Sequence, residues 1–227
     1  PRPILCLLED GPTDMAKILT VANLKGGTGK TTVSVNLACA LSSTRKRVSL
    51  VDADSQETAT FWGSRGRLPV RVATMPLEDE AHARQWIHDV LSIDADYVVI
   101  DCPPHLRAAT SAAIGIADLV LVPASASGAD LLATRKAMEL VAEARRRRKD
   151  KGPPALLVPS RIDRRTSTGR EFAQALRQLD DHVSPELRQR AAFVDSFSAG
   201  QWIGDYAPNS AALSDVNALA RTVKRRL

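Results

Sequence analysis

A doubly wound α/β fold, a mostly parallel sheet with helices on both faces, is what this 227-residue sequence predicts. Two observations lead there. Short runs rich in β-branched and aliphatic residues alternate with stretches of helical spacing through most of the chain, which is the order of β-α-β units. Several of the strand runs are almost continuously apolar, as strands covered on both faces are, and they end in acids or in a glycine-rich loop.

In order, KILTVAN (17–23) reads as a first strand running into glycines, and TTVSVNLACALSS (31–43) as a helix with Val33, Leu37, Ala40 and Leu41 on one side. RVSLVDAD (47–54) is a buried strand, TATFWGSRG (58–66) a short helix and VRVAT (70–74) a strand. EDEAHARQWIHDVLS (78–92) is helical, with acids in its first turn where they favour the dipole. DYVVID (96–101) and DLVLVP (118–123) are two more strands. ADLLATRKAMELVAEARRRRKDK (129–151) is a helix closing in cations, PPALLVPS (153–160) a strand, and GREFAQALRQL (169–179) a helix. AAFVDS (191–196) reads as a last strand and SAALSDVNALARTVKRRL (210–227) as a last helix. Residues 1–14 read as an N-terminal extension outside the fold, and 15–227 as one domain without repeats or a linker.

Composition excludes some classes. At 44% hydrophobic and 25% charged the chain suits a globular core, and no apolar run reaches the roughly 18–20 residues a membrane span needs. The patch ILCLL (4–8) is too short for a signal-peptide core. Cys6, Cys39 and Cys102 have neither metal-type nor C-x-x-C spacing and read as reduced thiols of a cytoplasmic protein.

The chemistry is concentrated in NLKGGTGKTT (23–32), between the first strand and the first helix, beyond the strand ends where such sheets bind ligands. Gly26, Gly27 and Gly29 let backbone N–H groups turn inward around phosphate oxygens, and Thr28 and Thr32 complete the loop. Lys30 is placed to reach the β and γ phosphates, Thr31 to hold Mg²⁺ through its hydroxyl, and the helix that follows aims its positive end at the same anion. A nucleoside triphosphate, read as ATP, is the ligand this implies. Asp101 ends one apolar strand, and Asp52 and Asp54 end another; acids there suit a phosphate-bound Mg²⁺ or a water attacking the γ phosphate. Taken alone, each acid equally suits the plain end of a strand.

KGGTGKTT (25–32), VDADSQ (51–56), DYVVIDCPP (96–104), DLVLVPASAS (118–127) and YAPNS (206–210) together resemble the ParA/MinD group of deviant Walker-A P-loop ATPases, over about residues 16–226. The VDxDxQ stretch and the DCPP turn look more like the partition (ParA) branch. The resemblance implies an ATP hydrolase that forms a nucleotide-sandwich homodimer. In it, the extra lysine, Lys25, contacts phosphates held by the other subunit. By position it makes Asp54 the water-orienting acid, Asp52 part of the metal shell, and Asp101 the acid that holds a metal-bound water. Adenine contacts fall around Pro159, Ser160 and Arg161, although Arg161 reads equally as a surface cation.

The resemblance also implies dimers that bind DNA without sequence preference, and a ParB-like or adaptor protein that stimulates hydrolysis, so the chain is expected to be nucleoid-associated. Charge agrees: residues 1–134 hold 12 Lys and Arg against 15 acids, and residues 135–227 hold 19 against 11. Candidate DNA contacts are Arg145, Arg146, Arg147 and Arg148 with Lys149 and Lys151, then Arg161, Arg164, Arg165 and Arg170, then Lys224, Arg225 and Arg226, with the last helix favoured. The first cluster reads alternatively as a solvated helix end. The MinD-like alternative, a regulator of division-site placement, would lay the last helix on a membrane. Its stripe Leu213, Val216, Leu219, Val223 and Leu227 lacks Phe or Trp and is spaced for packing, so no membrane contact is expected.

Overall fold

The structure is a computed structural model that describes residues 16–105, 108–150, 152–179 and 182–227; the expected N-terminal extension, Cys6 and Lys151 lie outside the described residues. Its strands are β1 (Lys17–Val21), β2 (Val48–Asp52), β3 (Arg71–Thr74), β4 (Tyr97–Asp101), β5 (Leu119–Ala124), β6 (Ala155–Ile162) and β7 (Leu187–Arg188). They form one sheet in the order β3-β2-β4-β1-β5-β6-β7, every neighbouring pair parallel. The helices are α1 (Lys30–Leu41), α2 (Thr58–Gly63), α3 (Ala83–Leu91), α4 (Ala108–Ile116), α5 (Gly128–Arg147), α6 (Ser167–Arg177), α7 (Ala191–Ala199), α8 (Ile203–Tyr206) and α9 (Ala211–Lys224). β1 sits between β4 and β5; the chain passes from it to β2 and β3 on one side, returns to fill the gap with β4, and runs outward through β5, β6 and β7 on the other, so the crevice of such a sheet opens at the end of β1.

Side-chain alternation along each strand builds two cores. Ile18, Val51, Val98, Ile100 and Val120 face α3, α4, α5 and α6, where Trp86, Ala113, Ala137 and Phe172 meet them. Leu19, Val21, Leu50, Val99 and Leu121 face the opposite layer, packed by Val33, Leu37 and Leu41 of α1, Trp62 of α2, and Val216, Leu219 and Val223 of α9. The apolar stripe of the last helix is therefore the inner face of a core helix, with Val216, Leu219 and Val223 buried.

Four elements depart from the reading of the sequence, the short helix α8 among them. AAFVDS is the start of helix α7, not a strand. Six residues are too few to show a 3.6-residue period, but over the full nine Phe193 and Phe197 stand one turn apart on the inner side, and Gly200 in the left-handed region ends the helix. The last strand is instead the two-residue β7. Helix α4 was not foreseen. Its sequence AATSAAIGI is small and apolar all round, which suits a helix buried on most sides and leaves no amphipathic period to read. Among the described residues, no helix is long and apolar enough to cross a membrane.

Leu219 is 1% exposed where α9 meets α1. Leu219→Ala should lower unfolding free energy by about 2–5 kcal/mol, read as a shift in the urea midpoint at unchanged slope.

Candidate functional site

The loop after β1 is built by local backbone rules. Gly27 and Gly29 take positive φ values of 77° and 89°, a region where a Cβ is strained, and Gly29 forms the N-cap of α1. Gly29 also has no room for one: a Cβ there would lie 2.6 Å from Ser160 Oγ at the end of β6. The loop is thus wedged against a neighbouring strand, and the first N–H groups of α1 point into the cleft. Asn23, buried, anchors its start by donating to Pro123 O (2.7 Å) and Thr134 Oγ1 (3.3 Å) while accepting from Lys25 N (3.3 Å).

Both lysines of the loop are held. Lys30, only 7% exposed, donates from Nζ to the Lys25 carbonyl at 2.9 Å. Burial lowers its pKa, and the Asp101 carboxylate opposes that shift. Lys25 forms an ion pair with Asp130 in the first turn of α5. Asp130 is 1% exposed and also accepts from Ser125 N (3.1 Å) and Ser125 Oγ. Burial raises its pKa, but the hydrogen bonds from Lys25, Ser125 and Ser127 outweigh burial and hold the carboxyl below its ordinary value. Nothing in the local sequence names this partner, which lies 105 positions away.

Sheet register sets the acids. Asp52 and Asp101 are Cα partners across β2 and β4, both buried. Asp52 accepts from Thr60 N at 2.8 Å and Asp54 N at 3.2 Å; burial raises its pKa against those bonds. Asp101 accepts from Ser34 Oγ at 2.8 Å. Burial pushes its carboxyl up to about 7, opposed by hydrogen bonds from Thr31 and Ser34 and by Lys30, with Asp52 adding to the rise. Asp54 lies just outside this pair, on the cleft wall, and accepts from Gln56 N at 3.1 Å.

The cleft, of about 850 Å³, is lined by Gly26, Gly27, Gly29, Lys30, Thr31 and Thr32 at the loop and by Asp54 and Gln56 on the β2 side. Across it stand Ser160, Arg161 and the turn from Leu187 into α7. Thr28, also assigned to the loop, is buried beneath it, its hydroxyl 3.5 Å from Lys25 O. The structure brings the loop residues, Asp52, Asp54 and Asp101 together. It sets Pro159 apart: that residue is buried inside β6, paired with Ala124, and does not line the cleft. Arg161, in the left-handed region at φ 55°, reaches across to donate to Gly27 O at 2.8 Å. The donor set suits a hard cation: Thr31, Asp52 and Asp101 offer oxygen only. Among the described residues there is no group of three or more His, Cys, Asp or Glu able to cage a metal, so the remaining ligands of such an ion would be phosphate and water, as Mg²⁺ prefers.

The basic cluster at the end of α5 is divided. Arg145 Nε donates to Pro153 O at 2.8 Å, and Arg148 donates to Ala117 O at 2.6 Å while pairing with Asp150, so both tie the helix end to the fold. Arg146 and Arg147 face solvent, Arg147 pairing with Glu143. Lys224, Arg225 and Arg226 are exposed at the end of α9. Helix α5 starts beside the loop and runs away from it for 20 residues, placing Arg146 and Arg147 about 27–30 Å off, towards the N-terminal ends of the strands. Cys39 and Cys102 are buried and free, with burial raising both thiols.

Asp101 yields a pH-dependent expectation. Its folded pKa lies above the ordinary value of about 4, so the stability it contributes without ligand is full below about pH 4 and is lost as pH rises through about 7. Nucleotide-free Asp101→Asn should melt several degrees above the parent at about pH 8, with the gain vanishing near pH 4. A melting offset that does not change with pH would show that this carboxyl does not titrate in the fold.

Comparison with known proteins agrees with this geometry. Residues 19–203 match the family described as the CobQ/CobB/MinD/ParA nucleotide binding domain. The chain is 32% identical to maintenance of carboxysome distribution protein A of Halothiobacillus neapolitanus over 198 residues, 83% of this chain and 87% of that one. It is 33% identical to the protein of the same name from Gloeobacter kilaueensis over 207 residues, 86% and 89% of the two chains. The fold matches the ATP complex of an aspartate-to-alanine variant of Cyanothece McdA with a TM-score of 0.75 at 20% identity, covering 93% of this chain and 97% of that one.

Proposed function

The chain belongs to the CobQ/CobB/MinD/ParA nucleotide-binding domain family, and we propose that it is a Mg²⁺-dependent ATPase of partition or positioning type, cycling between a free form and an ATP-held dimer on DNA. The observation that carries this reading is the glycine loop on the cleft, with its lysine buried beside strand-end acids. Lys30 and the N–H groups of the loop hold the β and γ phosphates. The Thr31 hydroxyl, with Asp101 and Asp52 behind it, would hold Mg²⁺, which would supply charge neutralisation on those oxygens. Asp54 takes a hydrogen bond from the attacking water, whose oxygen bonds to the γ phosphorus as the bridging bond to ADP breaks.

Lys25 neutralises charge on the nucleotide of the second subunit, for which it must exchange Asp130 for phosphate. DNA is held through the exposed cations at the ends of α5 and α9, Arg146, Arg147, Lys224, Arg225 and Arg226, without reading base sequence. An adaptor on the cargo stimulates hydrolysis and releases the dimer. The relatives named for carboxysome distribution support a positioned cargo.

Binding to random-sequence duplex DNA across a salt series tests this. Wild type should bind with ATP and not with ADP, and Lys25→Ala and Lys30→Ala should both lose that binding. Binding in neither nucleotide state, with ATP still bound, would remove the DNA half of the reading. Within the α5 cluster the substitutions should separate. Arg146→Ala with Arg147→Ala should flatten the salt dependence by about two ions per chain at unchanged melting temperature, while Arg148→Ala should lower the melting temperature itself.

A further inference from the structure

Sheet order decides which way a nucleotide runs through the cleft. Asp54 and Asp101, the acids at the proposed reacting end, follow β2 and β4 on one side of β1. The cleft continues on the other side, past Ser160 and Arg161 at β6 and then Gln189 and Phe193 beyond β7. With the γ phosphate towards Asp54, the nucleoside is left with the β6–β7 wall. This step rests on the nucleotide reading above.

Most polar groups on that wall are already engaged. Arg161 donates to Gly27 O at 2.8 Å, Arg188 pairs with Glu186 at 2.8 Å, and Arg190 pairs with Asp215 at 2.9 Å. Asn36, deeper in the cleft, has spent its amide, donating to Thr32 O and accepting from Ile203 N, each at 2.9 Å. Gln189 differs. Its backbone N–H donates to Ile162 O at 3.0 Å, which fixes the turn, while its exposed side-chain amide has no hydrogen-bond partner among the described residues. Four positions on, half-buried Phe193 turns a ring to the same cleft.

We infer that the turn between β7 and α7 is the base-specificity element of the site, with Gln189 reading the edge of the base and Phe193 covering its face. An amide offers one donor and one acceptor side by side, which match adenine N1 and its N6 amino group. A flat π surface against Phe193 needs no particular base, so the ring contributes affinity and the amide contributes choice. A carboxylate at the same place only accepts. It would meet the N1–H and N2 amino donors of guanine and repel adenine N1.

The test is competition binding of ATP, GTP and tripolyphosphate to the full chain, as wild type, Gln189→Glu and Phe193→Ala. Because Gln189 is exposed, its replacement leaves the core intact, and tripolyphosphate reports whether the loop still works. The added negative charge weakens all three ligands alike and cancels in the ratio of GTP to ATP affinity. That ratio should move towards GTP by about tenfold or more in Gln189→Glu. Phe193→Ala should weaken ATP and GTP relative to tripolyphosphate, by about tenfold for both. A GTP-to-ATP ratio that stays within about twofold in Gln189→Glu overturns the assignment while leaving the nucleotide reading in place. Failure of the wild type to bind any of the three overturns both.

Discussion

Lys30, Asp52 and Asp101 are held out of water at the end of an otherwise apolar sheet, and much of the architecture follows from that constraint. A charge without water needs partners within bonding distance, and a parallel sheet brings strand ends to one place where such partners can be collected. β2 and β4 run in register, so their terminal acids are neighbours, and like charges side by side raise the cost of ionising both. Burial first, with the neighbouring acid adding to it, leaves Asp101 poised near neutrality, and a cation in front of it would shift the balance to the charged form. Ser34 and Thr31 serve Asp101 from α1, so the helix that carries Lys30 is bound to the strand that carries the acid.

The same constraint explains why the loop is rigid. Its glycines adopt backbone angles that a side chain disfavours, and Ser160 leaves no room for a Cβ at Gly29, so glycine is what lets the turn sit this close to β6. A phosphate-binding loop works by having its donors aimed before the ligand arrives, and here the neighbouring strands enforce that aim. Two of the proposed DNA-contacting cations, Arg146 and Arg147, stand at the far end of a helix that begins beside Lys25. Nucleotide and polyanion would therefore meet different faces of one chain, joined by a rigid helix.

The fold was legible where burial is uniform. Central strands such as YVVID and DLVLVP are apolar on both faces because helices cover both, and their shortness and β-branched residues mark them as strands. The loop was legible because phosphate chemistry demands glycine and lysine at fixed spacing. Helix α4 was not, since small apolar residues fit any buried element. Helix α7 reads as a strand because its first four residues are apolar and its two phenylalanines lie far enough apart to need the whole element for their period to emerge. Asp130 could not be found at all from local pattern: it meets Lys25 only because β5 lies next to β1. Four consecutive arginines likewise gave no sign that Arg148 would be consumed in capping carbonyls of the preceding connection.

The two lysines of the loop have a kinetic side. Each is already satisfied within the chain, Lys30 by a carbonyl and Lys25 by a buried carboxylate. Only the second pairing cancels a charge: the ammonium of Lys25 is matched by Asp130, while Lys30 keeps its charge, held in place by a neutral carbonyl. An arriving anion therefore meets a series of bond exchanges, each breaking an internal contact as it makes an external one, and its departure runs the same exchanges backwards.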